Sequence, residues 1–261
     1  MKLIIAIFFL AIALHGHSQT ENSVLFELPG SIDQMYIDQL ENLYTVKGDN
    51  IRKYLPNGTL QYEISPKRNG QLTLADFSDA LRPMLYYRDQ GLIQILDNTL
   101  SEQGSAVDLF RTFEASIWMA CSSIDSHFWF YDTDNFELFR ADRNLSKVSR
   151  SGNLSQVLGK SVMPEWMLER NSILYVSDPS IGVMMFDLFG TYIKTIPVTG
   201  LSRFQVIKSE LVFYKSNSIC RYPNLDFIEY CDELITKTEF ALLGKDRLYL
   251  QTDQKVEVRK R

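Results

Sequence analysis

The chain has 261 residues, with 27 Lys and Arg against 32 Asp and Glu and a formal net charge of −5. A mildly acidic protein without a stripe of basic residues is a poor match for nucleic acid, whose phosphate backbone requires clustered Lys and Arg. The length is ordinary for a single all-β barrel or propeller. These features favour a β-rich fold whose partners are not nucleic acids.

The first 18 residues have the order of a secretory signal peptide. A basic residue precedes an apolar run from Leu3 to Leu14, and Gly16 and Ser18 occupy the small-residue positions of a cleavage site. The run is too short to span a bilayer. We expect cleavage after Ser18, which leaves one exported domain, residues 19–261, without a transmembrane segment.

One short pattern recurs six times along the chain. An apolar residue and then an aromatic residue open a β-branched or aromatic run that ends in a polar turn. The six copies begin at Leu43-Tyr44, Leu85-Tyr86, Trp129-Phe130, Leu174-Tyr175, Val212-Phe213 and Leu248-Tyr249. The aromatic positions lie about 41 residues apart on average, which is the length of a four-stranded propeller blade. Helical repeats of this length would need long runs of 3.6-residue periodicity, which the sequence lacks.

Each repeat predicts four antiparallel strands with the innermost strand first. A short apolar strand precedes each aromatic pair, at 35–37, 72–75, 119–122, 166–168, 204–207 and 240–243. A polar turn rich in Gly, Asn and Asp follows each pair and supplies the positive φ of tight hairpins. A third strand then follows, for example at 51–54, 92–96, 137–140 and 183–186.

The two ends of the chain predict how the ring closes. The third strand of the sixth repeat, Val256–Arg259, has no fourth strand after it, whereas Val24–Leu28 precedes the first repeat and belongs to none. We predict that this N-terminal strand completes the last blade and covers an otherwise bare sheet edge. The predicted fold is an all-β, six-bladed β-propeller of four-stranded antiparallel blades, closed by the N-terminal strand.

The pattern resembles the six-bladed propellers of the NHL, YWTD and TolB-like superfamily. The matching features are inner strands that end near an acidic residue (Asp38, Asp125, Glu169), the Leu-Tyr type of second strand, and the Asp-x-x-Gly turn from Asp187 to Gly190. The YWTD sequence itself is absent, and these folds carry many unrelated functions. The resemblance therefore implies an architecture and no ligand.

Three cysteines are present, and two of them flank a polar turn at 224–226. A hairpin that turns on Leu225 and Asp226 places Cys220 opposite Cys231, where a disulfide could form in an oxidising compartment. Simple alternation makes them a hydrogen-bonded pair, a less favourable site for a bridge. Two buried free thiols are the commoner outcome and the one we expect. Cys121 stands alone.

The candidate catalytic residues are few. His127 is the single histidine after residue 18, which excludes a multi-histidine zinc or iron site. Calcium needs only oxygen ligands, and the ends of the inner strands carry carboxylates, namely Asp38, Asp76, Asp125 and Glu169. Lactonase-like six-bladed propellers hold a channel metal, so the resemblance implies a calcium-dependent hydrolase as the alternative. Carboxylates at these positions more commonly cap a turn, and we expect no cofactor.

Two long links between blades, 109–118 and 151–166, are the candidate binding segments. Asn153 to Leu158 predicts a helical turn in the second link, ended by Gly159. The links deliver Trp118 and Trp166 to inner strands, and the first also carries Arg111. These residue types suit an anchor for a peptide, glycan or protein. Packing between blades is the more common role of such tryptophans.

The sequence thus predicts a non-catalytic binding or scaffold module that presents the links to an envelope protein, peptide or glycan. Export places it in the cell envelope of a Gram-negative bacterium. No sorting segment follows the sixth repeat, so we expect the periplasm, with association to the outer membrane as an alternative.

Overall fold

The computed structural model describes residues 23–223 and 228–261. The predicted signal peptide and the turn at 224–226 lie outside these residues. Within the described part, 24 strands form six four-stranded antiparallel sheets arranged as a six-bladed propeller. The predicted fold class is confirmed.

The strands follow the predicted order, with the inner strand of each blade first in the chain. The N-terminal strand β1 spans Val24–Pro29. Blades one to three contain β2 (Gln34–Ile37), β3 (Leu43–Lys47), β4 (Asn50–Tyr54), β5 (Leu60–Ile64), β6 (Leu74–Asp76), β7 (Met84–Tyr87), β8 (Leu92–Ile95), β9 (Val107–Asp108), β10 (Ile117–Ser123), β11 (His127–Asp132), β12 (Glu137–Ala141) and β13 (Lys147–Asn153). Blades four to six contain β14 (Trp166–Arg170), β15 (Ile173–Asp178), β16 (Gly182–Phe186), β17 (Tyr192–Ile196), β18 (Gln205–Ile207), β19 (Glu210–Lys215), β20 (Ser218–Pro223), β21 (Tyr230–Glu233), β22 (Phe240–Leu243), β23 (Arg247–Gln251) and β24 (Lys255–Lys260).

Two short helices lie in the long links. The predicted helical turn is α2 (Leu154–Leu158), where the Asn153 side chain accepts a hydrogen bond from the Gln156 amide and Gly159 ends the helix at a φ of 66°. The other helix, α1 (Leu109–Phe113), was not predicted from the sequence. In the described part of the chain, no helix has the length and apolar character needed to cross a membrane.

The six repeat aromatics are buried between blades, and each is 4% exposed or less. Each ring projects from the second strand of one blade, and several rings contact the next blade directly. The ring of Tyr44 stacks on Phe77 of blade two with centroids 4.0 Å apart, and the Tyr86 hydroxyl donates to the Ile117 carbonyl of blade three at 2.6 Å. Full burial of one such side chain stabilises the fold by about 1.5–3 kcal/mol, so the repeat encodes the packing between blades.

The ring closes as predicted. Strand β1 pairs antiparallel with β24, so that Val24 lies opposite Arg259 and Leu28 lies opposite Val256. Phe26 and Leu28 pack against a buried cluster shared by blades one and six, formed by Met35, Leu43, Tyr54, Leu242, Tyr249, Val256 and Val258. The N-terminal strand therefore supplies both a sheet partner and apolar contacts to the last blade.

The disulfide alternative, which we did not favour, is what the structure contains. Cys220 of β20 lies directly opposite Cys231 of β21, as the sequence predicts, and a disulfide joins them. The expectation of two buried free thiols is wrong because the register brings the two Cα atoms within 4.0 Å of each other. Cys231 is also exposed rather than buried. Cys121 is free and buried.

The Asp187–Gly190 turn of blade four lies against blade three. The Asp187 carboxylate accepts hydrogen bonds from the Phe189 and Thr191 amides at 2.9 and 2.8 Å. A Cβ atom on Gly190, whose φ is 83°, would lie 2.6 Å from the carbonyl carbon of Arg150. This position needs glycine both for its conformation and for the close approach of two blades.

Substitution of Gly190 tests that close approach. Gly200 has a similar φ of 76° but nothing within 4 Å of its would-be Cβ, so Gly200→Ala is the matched control. We expect Gly190→Ala to lower the free energy of unfolding by about 1–3 kcal/mol more than the control, the usual cost of overpacking. Urea denaturation of both variants measures the difference. Equal losses would show that the blades do not constrain this turn.

Loss of the disulfide tests its contribution to stability. The bridge closes a loop between residues 11 apart in sequence. A loop of this size predicts that a Cys220→Ala, Cys231→Ala double variant loses about 2–3 kcal/mol of unfolding free energy. Denaturation with and without a reductant checks this result. The reductant should destabilise the wild type and leave the double variant unchanged, and a wild type that ignores the reductant would contradict the prediction.

Candidate functional site

The centre of the ring contains a cavity of about 780 Å³. The inner strands of blades one, two, four, five and six contribute to its lining, together with the turns that follow them. The apolar lining includes Trp166, Leu168, Phe204, Val206 and Phe240. A concave space of this size with a few polar groups is the usual form of a small-molecule site. We call it the channel cavity.

The mouth of the channel cavity lies at the carboxyl ends of the inner strands. The exposed residues of the lining all belong to the turns after the inner strands or to the last residue of the chain, and they are Gln39, Asn171, Lys208, Lys245 and Arg261. The two long links precede inner strands, so they lie at the opposite end of the channel. The cavity therefore opens on the face away from the predicted binding segments.

Three aromatic rings surround the guanidinium group of Arg203 inside the channel cavity. The Arg203 Cζ atom lies 4.6 Å from the ring centroid of Tyr36, 4.8 Å from that of Trp166 and 4.7 Å from that of Phe240. These rings come from blades one, four and six, whereas Arg203 precedes the inner strand of blade five. We call the three rings the aromatic cage. It holds the cation by its π faces.

The polar atoms of this cluster are only partly satisfied. Arg203 donates from Nη2 to the Met35 carbonyl at 2.9 Å, but its Nε atom is buried and has no hydrogen-bond partner among the described residues. The Trp166 indole nitrogen is also buried and has no hydrogen-bond partner among the described residues. Burial lowers the pKa of Arg203. Burial also raises the pKa of Tyr36, and the nearby positive charge of Arg203 makes that rise smaller. Arginine keeps its charge in proteins, so a partly buried cation faces the cavity.

Basic side chains outnumber acidic ones around the channel cavity. Six basic side chains line it, namely Arg170, Arg203, Lys208, Arg221, Lys245 and Arg261, against the four carboxylates of Asp38, Glu41, Asp76 and Glu210. Among the ion pairs of the described residues, one involves Arg221 and none involves the other five. The protein carries a net charge of −5, so this concentration of basic groups is local.

The carboxylate of Asp38, one of the predicted metal ligands, is committed to its own turn. It accepts hydrogen bonds from the amides of Leu40 and Asn42 at 2.8 and 2.9 Å, from the Asn42 side chain at 2.8 Å and from the Tyr44 hydroxyl at 2.9 Å. Burial and the Asp38 charge raise the pKa of Tyr44, which keeps this phenol a donor. Asp38 is therefore a buried cap of the first A–B turn, the turn between inner and second strands.

Two further predicted ligands connect neighbouring blades. Asp76 accepts from the Ser78 amide of its own turn at 2.8 Å and from the Ser122 amide of blade three at 2.7 Å. Glu169 of blade four accepts from the Ile124 amide at 3.1 Å and from the Trp129 indole of blade three at 2.7 Å. Both carboxylates tie adjacent inner strands together.

The fourth predicted ligand, Asp125, does not join the others. It is exposed at a φ of 57° in the A–B turn of blade three, and it does not line the channel cavity. In residues 23–223 and 228–261, the one grouping of three ligand atoms within 4.8 Å consists of Cys220, Glu229 and Cys231. Its two cysteines are bonded to each other, so this grouping offers no thiolate.

The predicted binding residues are separated by the fold. Trp166 lines the channel cavity, whereas Trp118 and Arg111 do not. The Trp118 ring packs under Arg88 at 3.9 Å and its indole donates to the Pro164 carbonyl at 2.8 Å. Arg111 lies in α1 and pairs with Asp108 at 3.3 Å, with 87% of its side chain exposed. Trp118 therefore packs between blades, as its alternative role predicts.

The sequence pattern identified Trp166 as a candidate binding residue but indicated neither Arg203 nor the other two rings of the aromatic cage. Arg203 lies in the short link before β18, where the sequence has no repeat position, and its partners Tyr36 and Phe240 are far from it along the chain. The sequence feature that the three rings share is their position, because Tyr36, Trp166 and Phe240 are aromatic residues within inner strands.

Similarity to solved structures extends over most of the chain. A streptogramin B lyase superposes with a TM-score of 0.57 at 14% identity, covering 88% of this chain and 79% of that one. A catalytically inactive histidine-to-alanine variant of virginiamycin B lyase from Staphylococcus aureus with quinupristin gives 0.57 at 10% identity, covering 90% and 98%. The extracellular domain of a putative one-component system from B. thetaiotaomicron gives 0.55 at 13% identity, covering 87% of this chain and 33% of that chain.

These similarities establish the propeller fold and nothing finer, because the identities are low. The fold neighbours include an enzyme and an extracellular domain. No protein-family model matches the sequence, and no curated protein matches it at a significant level.

The Asp76→Asn variant tests whether the channel carboxylates have a structural role or bind calcium. We expect a loss of about 1–3 kcal/mol of unfolding free energy, because the amide cannot satisfy both the Ser78 and Ser122 amides. Asp125→Asn, at the exposed position, should change stability by about 0.5 kcal/mol or less. Thermal unfolding of all three proteins with calcium and with a chelator completes the test. A calcium-dependent rise in Tm that Asp76→Asn abolishes would assign the carboxylates to a metal.

Proposed function

We propose that the protein is a non-catalytic binding module of the bacterial cell envelope whose ligand occupies the channel cavity. The observation that carries the proposal is the cavity itself, with the aromatic cage and the incompletely bonded Arg203 at its inner end. Buried polar groups without partners are uncommon in folded proteins and often mark a place where another molecule binds.

The chemistry of the lining supports binding rather than turnover. The cavity lining contains neither histidine nor cysteine among the described residues. His127 begins β11, directly after the A–B turn of blade three, and its Nδ1 is 3.0 Å from the Asp125 carbonyl oxygen. A histidine-to-alanine variant of virginiamycin B lyase, one of the structural neighbours, is catalytically inactive. Asp38, Glu41 and Asp76 already accept hydrogen bonds from the fold.

Export rests on two features of the chain. The first 18 residues have the pattern of a signal peptide, and the Cys220–Cys231 disulfide suits an oxidising compartment such as the periplasm. The extracellular domain among the structural neighbours is consistent with such a location. On these grounds we propose that the protein is located in the periplasm. On the repeat pattern we propose that it belongs to the NHL, YWTD and TolB-like group of propellers.

Filling the channel cavity tests the proposed function. Leu168 lines the cavity, so Leu168→Trp should occupy part of it, whereas Val148 is exposed on outer strand β13 and Val148→Trp is the matched control. The proteins are incubated with a small-molecule extract of bacterial periplasm and analysed by native mass spectrometry. We expect wild type and control to retain a small molecule whose mass is unchanged after incubation, and Leu168→Trp to retain at least about tenfold less.

One outcome of the same experiment would contradict the proposal. Time-dependent conversion of an extract component by the wild type, lost in Leu168→Trp and kept in Val148→Trp, would identify an enzyme and contradict the proposal.

A further inference from the structure

We infer that the channel cavity binds a small organic oxyanion, a carboxylate or phosphate attached to an apolar body, with the oxyanion held by Arg203. This inference rests on the proposed function and specifies its ligand. The juxtaposition that carries it is a partly buried guanidinium, with a buried Nε and no ion pair among the described residues, at the end of the channel cavity opposite its basic mouth.

Arg203 has the donors for such a ligand. Among the described residues, the Arg203 side chain forms no ion pair and donates one hydrogen bond, to the Met35 carbonyl. A guanidinium carries five donors in a planar fork that matches a carboxylate or phosphate. Burial of an uncompensated charge is costly, and a bound anion offsets that cost. The buried Trp166 indole nitrogen is a second donor that has no hydrogen-bond partner among the described residues.

The aromatic cage argues against a cationic ligand. Cages of this type commonly bind quaternary ammonium groups or methylated lysine. Here the cage is already filled by a cation of the protein, since Arg203 lies within 4.8 Å of all three ring centroids. A second cation would meet the Arg203 charge, whereas an anion is attracted to it.

The remaining lining sets the body of the ligand and its approach. Leu168, Phe204, Val206 and Leu242 line the cavity between the cage and the mouth, so the part of the ligand beyond the oxyanion is apolar. Around the mouth, the described side chains of Arg170, Lys208, Lys245 and Arg261 form no ion pair, so their positive field favours the entry of anions. The negative charge of Glu210, which also lines the cavity, partly offsets this positive field.

A purely structural Arg203 is the competing explanation. In that case its bond to Met35 and its contacts with the cage would join the link before blade five to blades one, four and six. Loss of the charge would then reduce stability without any effect on ligand preference. The two explanations differ in whether the protein distinguishes an acid from its neutral amide.

The test compares charged and neutral probes of the same shape. Isothermal titration calorimetry of the wild type uses phenylacetate and octanoate, phenylacetamide and octanamide as their neutral counterparts, and phenyl phosphate. We expect at least one oxyanion to bind about tenfold or more tightly than its amide, which is the effect of one charge-assisted hydrogen bond. The carboxylate and phosphate arms show which oxyanion is preferred. Equal binding of acids and amides, or binding of none of the acids, overturns the inference.

Variants then locate the charge that is responsible. Arg203→Met should reduce acid binding to the level of the amide, Arg203→Lys should keep part of the preference, and Arg143→Met, at an exposed turn outside the cavity, should keep all of it. Preference for the acid that survives in folded Arg203→Met overturns the assignment to Arg203. If that variant does not fold, the NMR shift of the Arg203 Nε–H on acid addition to the wild type gives the answer, and no shift overturns the inference.

Failure of this inference is distinct from failure of the proposed function. Neutral compounds that bind the wild type as well as acids, and that Leu168→Trp excludes, would overturn the oxyanion while leaving a binding module. Conversion of a probe by the wild type would contradict the proposed function itself.

Discussion

Closure of the ring by β1 against β24 is the constraint on which the other features depend. Each blade buries its aromatic face against a neighbour, and only a closed ring gives the first and last blades that neighbour. At the junction, the Glu41 carboxylate accepts from the Lys245 amide at 3.0 Å and from the Tyr249 hydroxyl at 3.3 Å. Closure also brings Tyr36 of blade one and Phe240 of blade six to the same guanidinium, so the cage exists only in the closed ring.

Carboxylates at the ends of the inner strands share one structural principle. Asp38 caps its own turn, whereas Asp76, Glu169 and Glu41 accept hydrogen bonds across a junction between blades. A charged acceptor satisfies several buried amides at once and strengthens each bond. Three of the four predicted metal ligands, Asp38, Asp76 and Glu169, therefore hold turns and blades in place. Among the described residues, five of the six basic groups that line the channel cavity form no ion pair, and Arg221 pairs with Asp232.

The channel cavity concentrates the features that a fold built for stability alone would avoid. Among the described residues, the Arg203 Nε and the Trp166 indole nitrogen lack hydrogen-bond partners, and an open volume takes the place of packed side chains. Local departures from full polar satisfaction are expected at functional sites, where a ligand completes the bonding. The regular packing between blades supplies the stability that tolerates this arrangement. The fold is thus a rigid frame around one chemically incomplete centre.

The sequence by itself determined the features that depend on neighbouring residues. The recurring pair of an apolar and an aromatic residue identified all six second strands. The segment Val24–Leu28, which belongs to no repeat, identified the closing strand. The predicted hairpin turn at Leu225 and Asp226 placed Cys220 opposite Cys231. It missed α1 and could not decide whether the two thiols would join, because their distance depends on the actual register geometry. Arg203 and its cage belong to the tertiary structure alone. Their residues range from Tyr36 to Phe240, and a contact between residues so far apart leaves no periodic trace in the chain; closure of the ring creates it.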